Sequence, residues 1–213
     1  MITREQFYKD YDVMMHKVCE PYQEFLSVGA KAVPKDAKSI YDLGIGTGNF
    51  SLAVQSRIPN IKVYGIDTDQ RAINIAKTKV KNAEIYCGEF FSRPFPKADY
   101  FISSLATHHL DVQTRIQKLT KIAASAKGFI NFDMFLRNGD TLEDALTPIL
   151  NFAKRHFNKQ EIKEITKEIQ LNDNPMQLDE QEKLFRSLGL EFNILAEQWP
   201  YAVYSIFRPQ KNE

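Results

Sequence analysis

Cysteine is nearly absent from this sequence. Cys19 and Cys87 are the only two in 213 residues, they lie far apart, and they form no C-x-x-C unit. Neither a disulfide framework nor a cysteine-based zinc cluster is indicated, and a reducing, cytoplasmic setting is the expectation. Long apolar runs are missing too. None approaches the roughly 20 residues that span a bilayer, and Met1 to Glu5 carries two charges without leading into an apolar stretch, so neither a membrane span nor a secretory leader is expected. There is also no excess of either charge. Lys and Arg number 28 against 27 Asp and Glu, a net of +1, which creates no overall field to draw in nucleic acid or anionic lipid.

What is present is an ordinary globular composition, 43% hydrophobic and 26% charged, at a length that suits one domain over residues 1–213. The opening stretch places Phe7, Tyr8, Tyr11, Met14, Met15, Val18, Tyr22, Phe25 and Leu26 at helical spacing behind a Thr3–Gln6 capping box. Pro21 divides it into two helices and Pro34 closes the second, giving a helical preface over 1–37. Short β-type runs then alternate with helical patterns. The runs are Ser39–Leu43, Ile61–Ile66, Ala83–Cys87, Asp99–Ser103 and Gly128–Phe135; the helices include Asn49–Arg57, Asp69–Val80 and Val112–Ala126, the last with Asp111 as N-cap. Such alternation predicts an α/β fold: a doubly wound, mostly parallel sheet. Residues 138–176 break the rhythm with two consecutive helices, an insertion or lid. A further helix near Asp179–Leu188 precedes two strands, Glu191–Trp199 and Ala202–Arg208, whose short connection requires them to be antiparallel. The expected sheet has seven strands and ends in an antiparallel hairpin within residues 177–213.

The sharpest signal is Asp42-Leu43-Gly44-Ile45-Gly46-Thr47-Gly48-Asn49, where a strand runs through a glycine-rich turn into a helix. Glycines there allow positive φ and let the backbone approach a ligand at the carboxyl end of a strand. A dinucleotide fingerprint would need glycine at position 49, which is asparagine. Asp42 stands two residues before the first glycine, where it disfavours a pyrophosphate and suits an ammonium group. The expected ligand is S-adenosylmethionine rather than NAD.

These residues resemble motif I of the class I S-adenosylmethionine-dependent methyltransferases, small-molecule-type members included, and residues 38–137 resemble their cofactor-binding core. The resemblance implies that Asp42, Gly44, Gly46, Thr47 and Gly48 contact the cofactor, and that Asp67 at the end of the second strand, with Thr68 after it, binds the ribose hydroxyls. Gly88-Glu89-Phe90 is similar to the segment after the third strand, where Glu89 would approach adenine and Phe90 would either flank the ring or pack in the core. Ser103, on the fourth strand, would lie beside the methionine part of the cofactor. The trailing pair His108-His109 is similar to one found after motif IV. The Tyr11-Asp12 pair and the segment around Asn172-Asp173-Asn174-Pro175 are similar to stretches in other members, the former to carboxy-S-adenosylmethionine synthases.

Methyl transfer is in-line displacement at a sulfonium methyl, so alignment and exclusion of water are its main demands, and a general base is needed only where the acceptor arrives protonated. His108 is the candidate base. His109 either braces its loop or touches a ligand, while Tyr11, His109, Asp133 and Trp199 are candidate acceptor contacts, with Tyr8, Phe132, Met134 and Tyr201 as further aromatic and apolar lining. No H-x-x-x-H spacing is present, and no metal is expected. The function implied is methyl transfer to a small-molecule acceptor in the cytoplasm, with no membrane or nucleic-acid partner and a homodimer left open. Two alternatives are a carboxy-S-adenosylmethionine synthase-like or tRNA-modification-associated enzyme, the former needing a cation such as Arg115 or Arg137 at the extra carboxylate, and a non-catalytic binding protein of the same fold.

Overall fold

The computed structural model describes residues 11–90, 92, 94 and 97–208; the capping box expected at Thr3–Gln6, with Phe7 and Tyr8, lies outside the described residues. Helices α1 (Tyr11–Val18) and α2 (Tyr22–Ala32) are separated at Pro21, whose missing amide hydrogen cannot continue α1 while its carbonyl accepts from Phe25 N at 2.8 Å to begin α2. There follow β1 (Ser39–Leu43), α3 (Asn49–Arg57), β2 (Lys62–Asp67), α4 (Gln70–Lys79), β3 (Ala83–Cys87), β4 (Tyr100–Ser104), a 3-10 turn (Thr107–His109), α5 (Val112–Ser125) and β5 (Gly128–Met134). Caps fix the helix starts. Asp69 accepts from Arg71 N and Asp111 from Thr114 N, each satisfying an amide that the first turn leaves without a partner. The C-terminal part holds α6 (Leu142–Ala153), α7 (Lys159–Asn172), α8 (Leu178–Ser187), β6 (Glu191–Gln198) and β7 (Tyr201–Phe207).

The strands form one seven-stranded sheet in the order β3-β2-β1-β4-β5-β7-β6. The first five are parallel, and β7 enters antiparallel between β5 and β6. Alternation along each strand divides the core in two. Ile40, Val63, Ile102, Phe132 and Val203 belong to a layer with Tyr22, Phe25, Phe50, Val54 and Ile73 from α2, α3 and α4. Tyr41, Leu43, Phe101, Phe129 and Tyr204 belong to a second with Leu119, Phe185 and Phe192, from α5, α8 and β6. Both faces are therefore covered, which is why the inner strands read as near-continuous apolar runs. No described helix is long and apolar enough to cross a membrane.

The topology also selects a place for a ligand. From β1 the chain moves outward to β2 and β3, then returns to lay β4 on the other side of β1, and open α/β sheets bind ligands at the carboxyl ends of strands where the order reverses. The glycine loop leaves β1 there, and the His108-His109 turn leaves β4.

Candidate active site

Three glycines shape the loop after β1, with φ of +69° at Gly44, +52° at Gly46 and +86° at Gly48. They do different things. A Cβ on Gly44 would lie 2.4 Å from the Ala106 Cβ and 3.1 Å from the Phe90 ring, so Gly44 is needed for close packing; one on Gly46 would meet nothing nearer than the Gly44 carbonyl at 3.9 Å. Gly46 thus turns a bare backbone toward an open groove lined by Tyr11, Tyr22, Gly46, Thr47, Asn49 and Ser104.

Two carboxylates flank this loop. Asp67, at the end of β2, accepts from Gly46 N through Oδ2 at 2.8 Å and from Asp69 N through Oδ1 at 2.9 Å, while burial raises its pKa against these bonds. Asp42, on the face of β1 toward α3, is buried; Oδ2 accepts from Ser51 Oγ at 2.6 Å and Oδ1 has no hydrogen-bond partner. Burial pushes Asp42 up to about 7, with the charge of Asp67 adding to the shift and Ser51 opposing it. A third carboxylate reaches the loop from the preface. Asp12 Oδ1 accepts from Thr47 Oγ1 at 2.6 Å and Asn49 Nδ2 at 2.9 Å, its Oδ2 pairs with Lys79, and Asn49 Nδ2 also donates to Tyr22 OH at 3.0 Å. Helix α1 is pinned to the loop by this network.

The remaining expected cofactor residues are distributed around the same strand ends. Thr68 is exposed, and its carbonyl accepts from the Cys87 thiol at 3.6 Å. Glu89 is exposed and Phe90 half-buried against Gly44 and the second core layer. Ser103 is fully buried, its Oγ donating to Leu43 O at 2.8 Å across the β1–β4 pair, so Ser104 and not Ser103 reaches the groove. Among the expected acceptor contacts, Tyr11 lines the groove. Trp199 lines a different cleft, formed with Pro21, Pro148 and Phe152, where the Arg137 guanidinium stacks 4.6 Å from its ring. Phe132 and Met134 are core residues, and Tyr201 is buried beside the Trp199 cleft; Tyr8 lies outside the described residues.

The histidine pair meets the chain at and just beyond the C-terminal end of α7. His108 is buried, with Nδ1 bonded to Asp133 Oδ1 and Nε2 at 3.5 Å from Asp173 Oδ1. Asp133 also accepts from Thr107 Oγ1 and from Met134 N; burial works against its charge, but His108, Thr107 and Arg115 outweigh it and hold the pKa below the usual carboxylate range. His109 is half exposed, with Nδ1 at 3.0 Å from Asp173 Oδ1. Partial burial lowers its pKa, yet Asp173 prevails and leaves it above the ordinary value. Asn131 Nδ2 donates to Tyr204 OH at 2.8 Å and Tyr204 OH to Gln181 Oε1 at 2.8 Å, continuing the network. Arg115 is buried beneath it, its guanidinium held by the carbonyls of His108, Leu110 and Asn174.

Residues 40–127, the stretch containing the glycine loop, both flanking carboxylates and the histidine pair, match the family described as methyltransferase domain. The chain has the class I methyltransferase fold. It is 28% identical over 116 residues to an uncharacterized methyltransferase of Alkaliphilus oremlandii, covering 54% of this chain and 48% of that protein. It is 32% identical over 102 residues to a carboxy-S-adenosyl-L-methionine synthase of Helicobacter pylori, covering 43% of each. The chain thus spans about half the length of the curated relatives it matches. Among solved structures, the methyltransferase fold recurs in human N-acetylserotonin methyltransferase in complex with SAM, at 18% identity and a TM-score of 0.64 over 95% of this chain and 55% of that one. It recurs also in the plantazolicin methyltransferase BpumL in complex with a monoazolic desmethylPZN analog and SAH, at 16% identity and a TM-score of 0.69 over 96% of this chain and 90% of that one.

Three residues of this methyltransferase fold had no site role legible in the sequence. Asp12 stands on a helix remote from the loop, Ser51 is an ordinary helical serine one turn past Gly48, and Asp173 belongs to a segment whose position over the histidine pair depends on how α7 crosses the sheet.

Proposed function

We propose that this chain is an S-adenosylmethionine-dependent methyltransferase acting on a small-molecule acceptor. The observation that carries the reading is the glycine loop after β1, where Gly46 turns a bare backbone to the groove with its amide on Asp67, while Asp42, on the strand leading into the loop, keeps a buried oxygen without a partner. A buried carboxylate oxygen left unbonded is costly, and an ammonium group is the partner that offsets it best. The groove beside the loop suits the methionine end of the cofactor, and Asp67, whose oxygens each accept one backbone amide and retain further acceptor capacity, suits the ribose hydroxyls. Bound there, the cofactor supplies an electrophilic methyl group. The residues that would hold and orient it are the glycine loop, Asp42 and Asp67, with Tyr11 and Ser104 lining the groove beside them. His108 is not carried forward as the base, because the ring is buried, Nδ1 is committed to Asp133 and Nε2 faces Asp173, so no acceptor reaches it in this arrangement.

The carboxy-S-adenosylmethionine synthase reading needs a cation free to meet a second carboxylate. Arg115 is buried and taken by three carbonyls, while Arg137 stacks on Trp199 and pairs with Glu197 at 3.7 Å; neither lines the groove. Calorimetric titration with S-adenosylmethionine, S-adenosylhomocysteine and NAD tests the proposal. The first two are expected to bind and NAD not to, and Asp67→Ala is expected to weaken the first two by about 1.5–3 kcal/mol, the range for hydrogen bonds to a charged group. Unchanged affinity in a folded Asp67→Ala chain refutes the assignment. Mass spectrometry of ligand carried through purification separates the carboxylated cofactor from the plain one.

A further inference from the structure

His108, His109 and Asp173 converge on one point, although they come from the turn after β4 and from the end of α7. One donor atom from each lies within 4.8 Å of the other two. His108 Nε2 and His109 Nδ1 are 3.5 Å and 3.0 Å from the same oxygen, Asp173 Oδ1, and the two rings cross edge to face with centroids 4.2 Å apart. Three donors each bound to a common ion at roughly 2.0–2.2 Å lie about 3.0–3.5 Å apart, from octahedral to tetrahedral angles.

The hydrogen bonds around His108 sharpen the case. Everything else that meets Asp133 Oδ1 and Oδ2 is a donor, from Thr107, Asn131 and Met134, so the carboxylate acts as an acceptor throughout and His108 Nδ1 is the donor in the bond between them. That tautomer turns the lone pair of Nε2 toward Asp173 Oδ1, an acceptor facing an acceptor in a site where Asp173 is largely shielded from water. Only a shared electrophile, a second proton or a metal ion, relieves the clash. A carboxylate on the far nitrogen of an imidazole is also the arrangement that fixes the ring and raises its basicity toward a metal.

We propose that His108 Nε2, His109 Nδ1 and Asp173 Oδ1 form a binding site for a divalent first-row transition-metal ion. Two imidazoles and one carboxylate suit zinc, cobalt or iron rather than magnesium or calcium, which take oxygen ligands. Asp133 acts as the positioning residue for His108. The exposed side of His109 leaves room for water to complete the coordination, and the ion ties the turn after β4 to the segment Asn172–Asn174, where Asn174 N already donates to His108 O at 2.7 Å. The site is independent of the cofactor reading, since none of its ligands lines the glycine groove.

Cobalt chloride titrated into the metal-stripped chain at neutral pH, followed by visible absorption and by thermal melting, tests the site. One equivalent of Co²⁺ is expected to produce ligand-field bands and a higher melting temperature. His109→Gln, which removes an imidazole at a half-exposed position, and Asp173→Asn are each expected to weaken the binding tenfold or more, whereas Cys87→Ser, which removes the exposed thiol, is expected to leave it unchanged. Absent bands and an unmoved melt in the native-sequence chain would mean that a proton alone bridges the cluster, and the proposal fails. It fails equally if a folded His109→Gln chain binds Co²⁺ as tightly as the unsubstituted one.

Discussion

Asp42 is ionisable, buried and half satisfied, and each of these properties has a measurable consequence. Its pKa in the folded chain, about 7, lies above the ordinary 3.8, so the folded chain keeps a proton that the unfolded chain releases. The contribution of this group to stability is therefore full below the ordinary value and declines as pH rises from about 4 to about 7, beyond which it is constant. Asp42→Asn is expected to flatten that part of the profile, measured as the difference in urea-unfolding free energy between the two chains across the window. A difference that does not vary with pH would show that Asp42 holds no proton. The same group predicts the pH dependence of cofactor binding. An ammonium placed against Oδ1 lowers the pKa of Asp42, so binding releases a proton and tightens as pH climbs toward about 7, until the ammonium itself begins to deprotonate near 8. Calorimetry in buffers of different ionisation enthalpy is expected to record that release, and Asp42→Asn to abolish it.

Helix α1 depends on a side chain more than on its length. It has one buried residue, Met15, and is held at the glycine loop by Asp12 through Thr47, Asn49 and Lys79. Asp12→Ala is expected to speed amide exchange in residues 11–18 and to lower stability by about 1 kcal/mol or less, because the carboxylate is partly exposed and its ion pair is screened. Unaltered exchange there would mean that apolar packing alone holds the helix. The second helical element over the strand ends behaves similarly. α7 buries no residue fully and is fixed by the Asn158–Glu161 capping box and the Asp173 contacts, whereas α6 buries Ala145, Leu146, Ile149 and Ala153. Exchange is accordingly expected to be faster in α7 than in α6, and equal protection would contradict that ranking. At this scale the sequence was easy to read. Helix starts are written locally by Asp69, Asp111 and Pro21, and strand bounds by alternation, so the expected and observed limits differ by a residue or two. The second strand, expected at Ile61–Ile66, runs Lys62–Asp67 because its pairing with β1 begins at Ser39↔Lys62.

Across the whole molecule, the parallel sheet and its antiparallel end followed from strand–helix alternation and the short link expected at Pro200–Tyr201, which the structure places one residue earlier at Trp199–Pro200. The polar cluster did not. Asp133 and Asn131 come from β5, Tyr204 from β7, Gln181 from α8 and Asp173 from just beyond α7; Asn131 reaches Tyr204, and through it Gln181, because β7 pairs with β5, while Asp173 arrives at the histidine pair from the segment after α7. Nothing in local spacing encodes that neighbourhood. The glycine loop was legible for the opposite reason, since its residues are adjacent in sequence and their chemistry is local.

The place of β7 also sets the order in which the chain can fold as it is made. Every residue of β5 is buried, yet one of its edges finds a partner only when residues 201–207 arrive, and β6, synthesised earlier, pairs with no described strand except β7. A chain growing on the ribosome therefore presents an open β5 edge, with Phe129, Ile130 and Phe132 lacking their ladder partners Ile206, Ser205 and Val203, until residues 201–207 have emerged. Synthesis stalled before residue 201 leaves a sticky intermediate, a natural client for chaperones, and the last strand acts as the step that commits the sheet.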